Sequence, residues 1–108
     1  MIPLKTIEEL IAKHSSIEKD LSSGELDNKL FAEKSKEYSD LNEIIGNAKD
    51  YKTFQTKKED LEKILNDSSA DEELKKMADL ELIDLQNQHE ANEKKLKLFL
   101  LPKDEADK

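Results

Sequence analysis

Two histidines, His14 and His89, are the first places to look for chemistry in this chain. A zinc centre needs three or four ligands. The two histidines fall on different segments, neither has a second histidine four residues away, and the chain has no cysteine. No metal ligand is therefore assigned. His14 sits on an apolar stripe, where a packed or rim histidine is the simple reading. His89 lies between Leu85 and Leu96 near another stripe. There it is either a boundary residue or a ligand or pH-sensitive group.

Carboxylates are abundant, and their abundance argues against catalysis. Glu8-Glu9, Asp71-Glu72-Glu73 and Asp79, Glu81 and Asp84 are what solvated helix faces contain. General acid–base work needs a perturbed carboxylate in a cleft, and a narrow helical assembly offers none. The serines fall mostly at expected caps and on polar faces, and nothing sets one beside a histidine as an activated nucleophile. With only Gly24 and Gly46, a glycine-rich phosphate loop cannot form. No catalytic and no cofactor-binding residue is assigned, no cofactor is expected, and the chain does not read as an enzyme. Lys57-Lys58 and Lys94, Lys95 and Lys97 are the densest basic clusters. They are solvated faces or else contacts to a rigid polyanion such as ribosomal RNA.

The composition restricts what can position these residues. Hydrophobic residues make up 35% of the 108 and charged residues 41%, against a usual ~45–50% and ~25%. That leaves either disorder or a few long helices sharing a narrow apolar seam. The formal net charge is −8 at pH 7, and every basic residue is lysine. Arginine is the residue favoured for bidentate phosphate and base contacts, so a primary nucleic-acid reader is not expected. The same bias also follows from genomic base composition. No apolar run approaches the ~18 residues of a membrane span. The acidic start MIPLKTIEEL has no signal-peptide character. Asn66-Asp67-Ser68 matches a glycosylation pattern by chance.

Periodicity decides against disorder. Thr6-Ile7-Glu8-Glu9 is a capping box that starts a first helix. Its stripe is Ile7, Leu10, Ile11, His14, Ile17 and Leu21, and Gly24 ends it. Asp27 caps a second helix whose seam runs from Leu30 and Phe31 through Tyr38, Leu41, Ile44, Ile45, Ala48, Tyr51, Phe54, Leu61 and Ile64 to Leu65. Unbroken, that helix has ~38 residues and is ~57 Å long at 1.5 Å per residue. Gly46 is its weak point, because a mid-helix glycine costs ~1 kcal/mol relative to alanine. The apolar phase is kept across it, so a continuous helix, kinked or straight, is expected. A third helix starts near Asp71, uses Leu74, Met77, Ala78, Leu82, Leu85, Leu96 and Phe99, and stops at Pro102. Acid-first pairs such as Glu9–Lys13, Glu59–Lys63, Glu90–Lys94 and Glu93–Lys97 support the solvent faces by ~0.2–0.5 kcal/mol each. The expected fold is all-α: one short and two long antiparallel helices forming a helical bundle that passes into a coiled-coil-like arm.

The last residues, Leu100-Leu101-Pro102-Lys103-Asp104, carry a resemblance. Together with Ser35-Lys36-Glu37-Tyr38 after Leu30-Phe31, Leu41 to Ile45, Tyr51 onward and Met77-Ala78 to Leu82, they make the chain resemble the amino-terminal domain of bacterial class I peptide chain release factors of the type that reads UAA and UAG. The resemblance covers nearly the whole chain. Glu105 stands where many relatives have proline or alanine, and Gly46 where many continue the helix without glycine. The resemblance implies that residues 1–101 are a helical N-terminal domain and 102–108 the start of a linker to decoding and catalytic domains. It implies a role in translation termination as a contact arm in the cytoplasm, with no membrane. The implied partners are the ribosome at the large-subunit stalk base and GTPase-associated region, the GTPase release factor that recycles such factors, and the glutamine methyltransferase that acts on a Gly-Gly-Gln domain. This chain has no Gly-Gly-Gln, so no functional residue is carried over. The alternative is a stand-alone coiled-coil adaptor or oligomerisation module that self-associates through its seam.

Overall fold

A computed structural model describes residues 1–101. They form four helices: α1 (Leu4–Ser23), α2 (Asn28–Asn42), α3 (Ile45–Leu65) and α4 (Glu72–Leu100). There is no strand among the described residues, so the fold is all-α as expected. Pro102, Lys103 and Asp104, with the rest of the expected linker, lie outside the described residues.

Two of the four helices start with a side-chain cap, α2 and α4, and two, α1 and α3, start without one. Asp27 Oδ1 accepts the Leu30 N–H at 2.8 Å, and Asp71 Oδ1 accepts the Leu74 N–H at 2.7 Å. Each satisfies one of the backbone donors that a helix N-terminus leaves free. The capping box at Thr6 does not form. Instead α1 begins at Leu4 behind Pro3, whose φ of −60° and ψ of 138° set the turn without a side-chain cap. The amides of Thr6 and Ile7 donate to the Pro3 carbonyl at 3.0 and 3.3 Å. This earlier start lets Ile2 be buried against the bundle, a tertiary gain that outweighs a local cap. Gly24, at φ 73°, ends α1 in the left-handed conformation.

The long second helix is divided in two, and the break lies at Glu43–Ile44, upstream of Gly46. The Ile44 N–H turns back to the Leu41 carbonyl at 3.0 Å, a tighter three-residue closure. Ile44 itself has φ −116° and ψ −1°, and α3 starts after it. The reason is packing. Leu41 and Ile44 are both buried in the same cluster as Ile7, Ile17 and Ala48. A bend between them lets α2 pair with α1 while α3 pairs with both α1 and α4. Gly46 sits within the first turn of α3.

Burial is concentrated at one end. Ile2, Ile7, Ile17, Leu41, Ile44, Ala48, Tyr51 and Leu96 form one cluster, with Leu10, Ile11, Leu21 and Tyr38 packed at its edge. The seam that an adaptor would share with a partner is thus used within the chain. From there α3 and α4 run on as an antiparallel pair, giving an elongated molecule of 61 × 37 × 20 Å. Expected seam residues at the extremities are exposed. Leu30 and Phe31 lie where α1 has ended, and Leu74 and Met77 lie where two helices alone cannot surround a side chain.

Candidate functional site

The densest polar cluster lies where the N-terminal segment meets α3 and α4. Tyr51 on α3 and His89 and Glu93 on α4, one turn apart, face the backbone of Ile2. The Ile2 N–H donates to the Tyr51 hydroxyl at 3.0 Å. That hydroxyl has two acceptors within reach at 3.4 Å, the Ile2 carbonyl and Glu93 Oε2. The His89 ring stacks on Phe54, with centroids 3.7 Å apart and planes at 15°, and on Tyr51 at 4.6 Å and 24°. Its Nδ1 is buried with no hydrogen-bond partner. Its Nε2 is 3.9 Å from Glu93. Burial holds its pKa below the usual histidine value, although Glu93 and Glu90 pull the other way.

Glu93 collects the cations around it. Lys97 Nζ lies 2.9 Å from Glu93 Oε1. That hydrogen bond lowers the Glu93 pKa and raises the Lys97 pKa. Of the acid-first pairs expected along the helices, this one is closed as an ion pair. The His89 imidazole stacks against two rings and borders a surface cavity lined also by Ile2, Tyr51 and Phe54. The cluster fastens the N-terminal segment to the helical pair.

The second histidine is elsewhere. His14 is buried between α1 and α2, stacked on Tyr38 with centroids 4.7 Å apart, and its Nε2 lies 3.1 Å from Asn42 Oδ1. Tyr38 in turn donates to Glu18 at 2.9 Å, which raises the tyrosine pKa. The two histidines therefore belong to different helix pairs. No group of three or more histidine, aspartate or glutamate side chains able to hold a metal exists among the described residues. Asp79, Glu81, Asp84, Lys94 and Lys95 are exposed on α4. The α3–α4 groove beside Asp84, bounded also by Lys57, Leu61 and Gln88, is an open channel rather than a cleft.

Sequence reasoning treated Tyr51 and Phe54 as ordinary seam residues and missed their stacking on His89. It also missed the Asn47–Asn92 hydrogen bond, 2.8 Å, that links α3 to α4 across the seam. A usable signal was present: a tyrosine buried in a seam normally finds a partner for its hydroxyl.

No helix among the described residues is long and apolar enough to cross a membrane. No solved structure matches the chain. The PCRF domain matches residues 10–108. Peptide chain release factor 1 of Pelagibacter ubique (strain HTCC1062) is 68% identical over 108 residues, which is all of this chain and 30% of that protein. The release factor 1 of Orientia tsutsugamushi (strain Boryong) is 37% identical over 101 residues, 94% of this chain and 28% of that protein. That of Rhizobium rhizogenes (strain K84 / ATCC BAA-868) is 32% identical over 106 residues, 98% of this chain and 29% of that protein. The chain thus spans under a third of the length of these relatives. With the domain matched along nearly its whole length, the chain belongs to the PCRF domain family of peptide chain release factors.

Proposed function

We propose that the chain acts in translation termination, as the N-terminal helical domain of a factor that directs stop-codon-dependent peptide release on the ribosome. In this reading residues 1–101 are a contact arm without catalytic residues, and 102–108 begin the linker to decoding and catalytic domains. The observation that carries it is the 68% identity to a peptide chain release factor along all of the chain. The elongated helical body supports an arm.

The partners follow from the same reading: the large ribosomal subunit at its stalk base and GTPase-associated region, the recycling GTPase, and the glutamine methyltransferase acting on a Gly-Gly-Gln domain elsewhere in the factor. The setting is the cytoplasm. The test is a deletion of residues 1–101 from the intact factor. Release chemistry in a minimal assay is expected to persist, while ribosome-dependent cooperation with the GTPase falls more strongly. Equal loss of both activities contradicts the reading, as does a parent gene lacking a Gly-Gly-Gln-bearing domain.

A further inference from the structure

Helix α4 carries two apolar stripes, and the fold uses one. Ala78, Leu82, Leu85, His89 and Leu96 face the rest of the molecule and are buried or half-buried. On the opposite side, steps of three and four residues put Leu80, Ile83, Asn87, Ala91, Lys94 and Leu98 on one line. All six are exposed, with Leu80 at 68%, Ile83 at 52% and Leu98 at 60%. From Leu80 to Leu98 the line is ~27 Å long at 1.5 Å per residue. Isolated exposed leucines need no explanation, but a phased line of them along one helix does.

The charges beside this line are segregated. Asp79, Glu81 and Asp84 flank its N-terminal half; Lys95 and Lys97, with the single acid Glu90, flank its C-terminal half, and Lys94 lies on the line itself. Laid parallel on a second copy, the line would set like charge against like. Laid antiparallel about a two-fold axis, it sets Leu80 opposite Leu98 of the other copy, and Asn87 opposite Ala91. The same register brings Asp84 and Lys95 together, because both lie on the same edge of the line and a two-fold axis pairs equivalent edges. Lys97 is already held by Glu93 at 2.9 Å, which leaves the Asp84–Lys95 pair as the one that fixes the register. Asp84 accepts a bond from Gln88 at 3.0 Å on its own helix, and that bond leaves its other lone pairs to accept from lysine.

We infer that the outer face of α4 is a self-complementary docking surface for a second copy of this chain, joined antiparallel through Leu80, Ile83 and Leu98. The occupant is a second copy because the helix, reversed on itself, sets its acidic half against its lysine-rich half. The interface is small, and interfaces of this size are transient. The proposal is independent of the role in translation termination.

Sedimentation equilibrium of the full chain tests it. The apparent mass is expected to rise with concentration toward that of a dimer within the range up to ~1 mM, and less so at high salt. Leu80→Asp should keep the chain monomeric throughout. Asp84→Lys and Lys95→Asp should each weaken association, and mixing those two variants should restore it, because every Asp84–Lys95 contact is then between opposite charges. Far-UV circular dichroism should be unchanged in all variants, since the substituted side chains are exposed. A wild-type chain that stays monomeric over the whole range overturns the proposal. So does a dimer that forms equally well in Leu80→Asp, or one whose charge variants are not rescued by mixing.

Discussion

Replacing Gly46 with alanine separates two accounts of the bend between α2 and α3. If glycine made the bend, an added methyl group would oppose it and the fold would lose stability. In the structure the bend is at Glu43–Ile44, and Gly46 already lies within α3. Its φ is not positive, and a Cβ built on it would have no atom within 4 Å. Alanine there loses no contact, and it restricts the unfolded chain, so Gly46→Ala should stabilise by ~0.5–1 kcal/mol. That corresponds to a rise of roughly 2–6 °C in Tm for a domain of this size. Gly24→Ala is the internal contrast. It also has open space, but its φ is +73°, and forcing alanine into the left-handed region costs roughly 1–2 kcal/mol. Urea denaturation followed by far-UV circular dichroism reads both variants, and the slope with denaturant should be unchanged. A Gly46→Ala variant that is less stable than the parent refutes the placement of the bend.

The core and the buried histidine give two further predictions. Leu96 is fully buried among residues from α1 and α3, so Leu96→Ala should destabilise by ~2–5 kcal/mol, whereas Met77→Ala at an exposed site on the same helix should stay within ~0.5 kcal/mol; similar losses in denaturation curves would show that the burial is wrongly assigned. His89 has a folded pKa below its unfolded value, mainly because of burial, so below pH ~6.5 the unfolded chain binds a proton that the folded chain resists. Its contribution to stability is then fully present above that pH and is lost as pH falls, and a His89→Phe variant should show a flatter loss between neutral and mildly acid pH; an unchanged slope in the same titration would remove the histidine from the account.

Much of the fold was readable because its signals are local. Asp27 and Asp71 cap helices because an aspartate side chain can reach the amide three residues on, whatever the rest of the chain does. Gly24 ends α1 for a reason equally contained in a few residues. What could not be read depends on residues far apart in sequence. The capping box at Thr6 is locally sound, and it lost to a start at Leu4 because Ile2 is buried beside Tyr51, 49 positions away. The division of the second helix is of the same kind. An unbroken apolar phase says which face is buried, not whether one straight helix can present that face to α1 and α4 at once. At the polar cluster, sequence supplied His89 as a boundary residue. Its stacking on Phe54 needs the register of α3 against α4, which period alone leaves open.

Where the apolar residues lie also bears on how firmly each end of the helical pair is held. The buried cluster gathers the N-terminal segment, α1, the α2–α3 bend and the C-terminal half of α4. Beyond it, the far half of the α3–α4 pair has Ala78 as its buried hydrophobic residue and leaves Leu74, Met77, Leu80 and Ile83 exposed. Local opening is governed by how many buried apolar contacts must be broken. The distal tip should therefore open at a lower free energy than the base, even though both are helical. The base needs a fixed geometry, because Tyr51, His89 and Glu93 fasten three chain segments there. A tip with fewer internal contacts can shift its two helices against each other at small expense, and its apolar and charged side chains face outward. A helical pair that is rigid at one end and adaptable at the other is suited to holding a position while fitting a partner's surface.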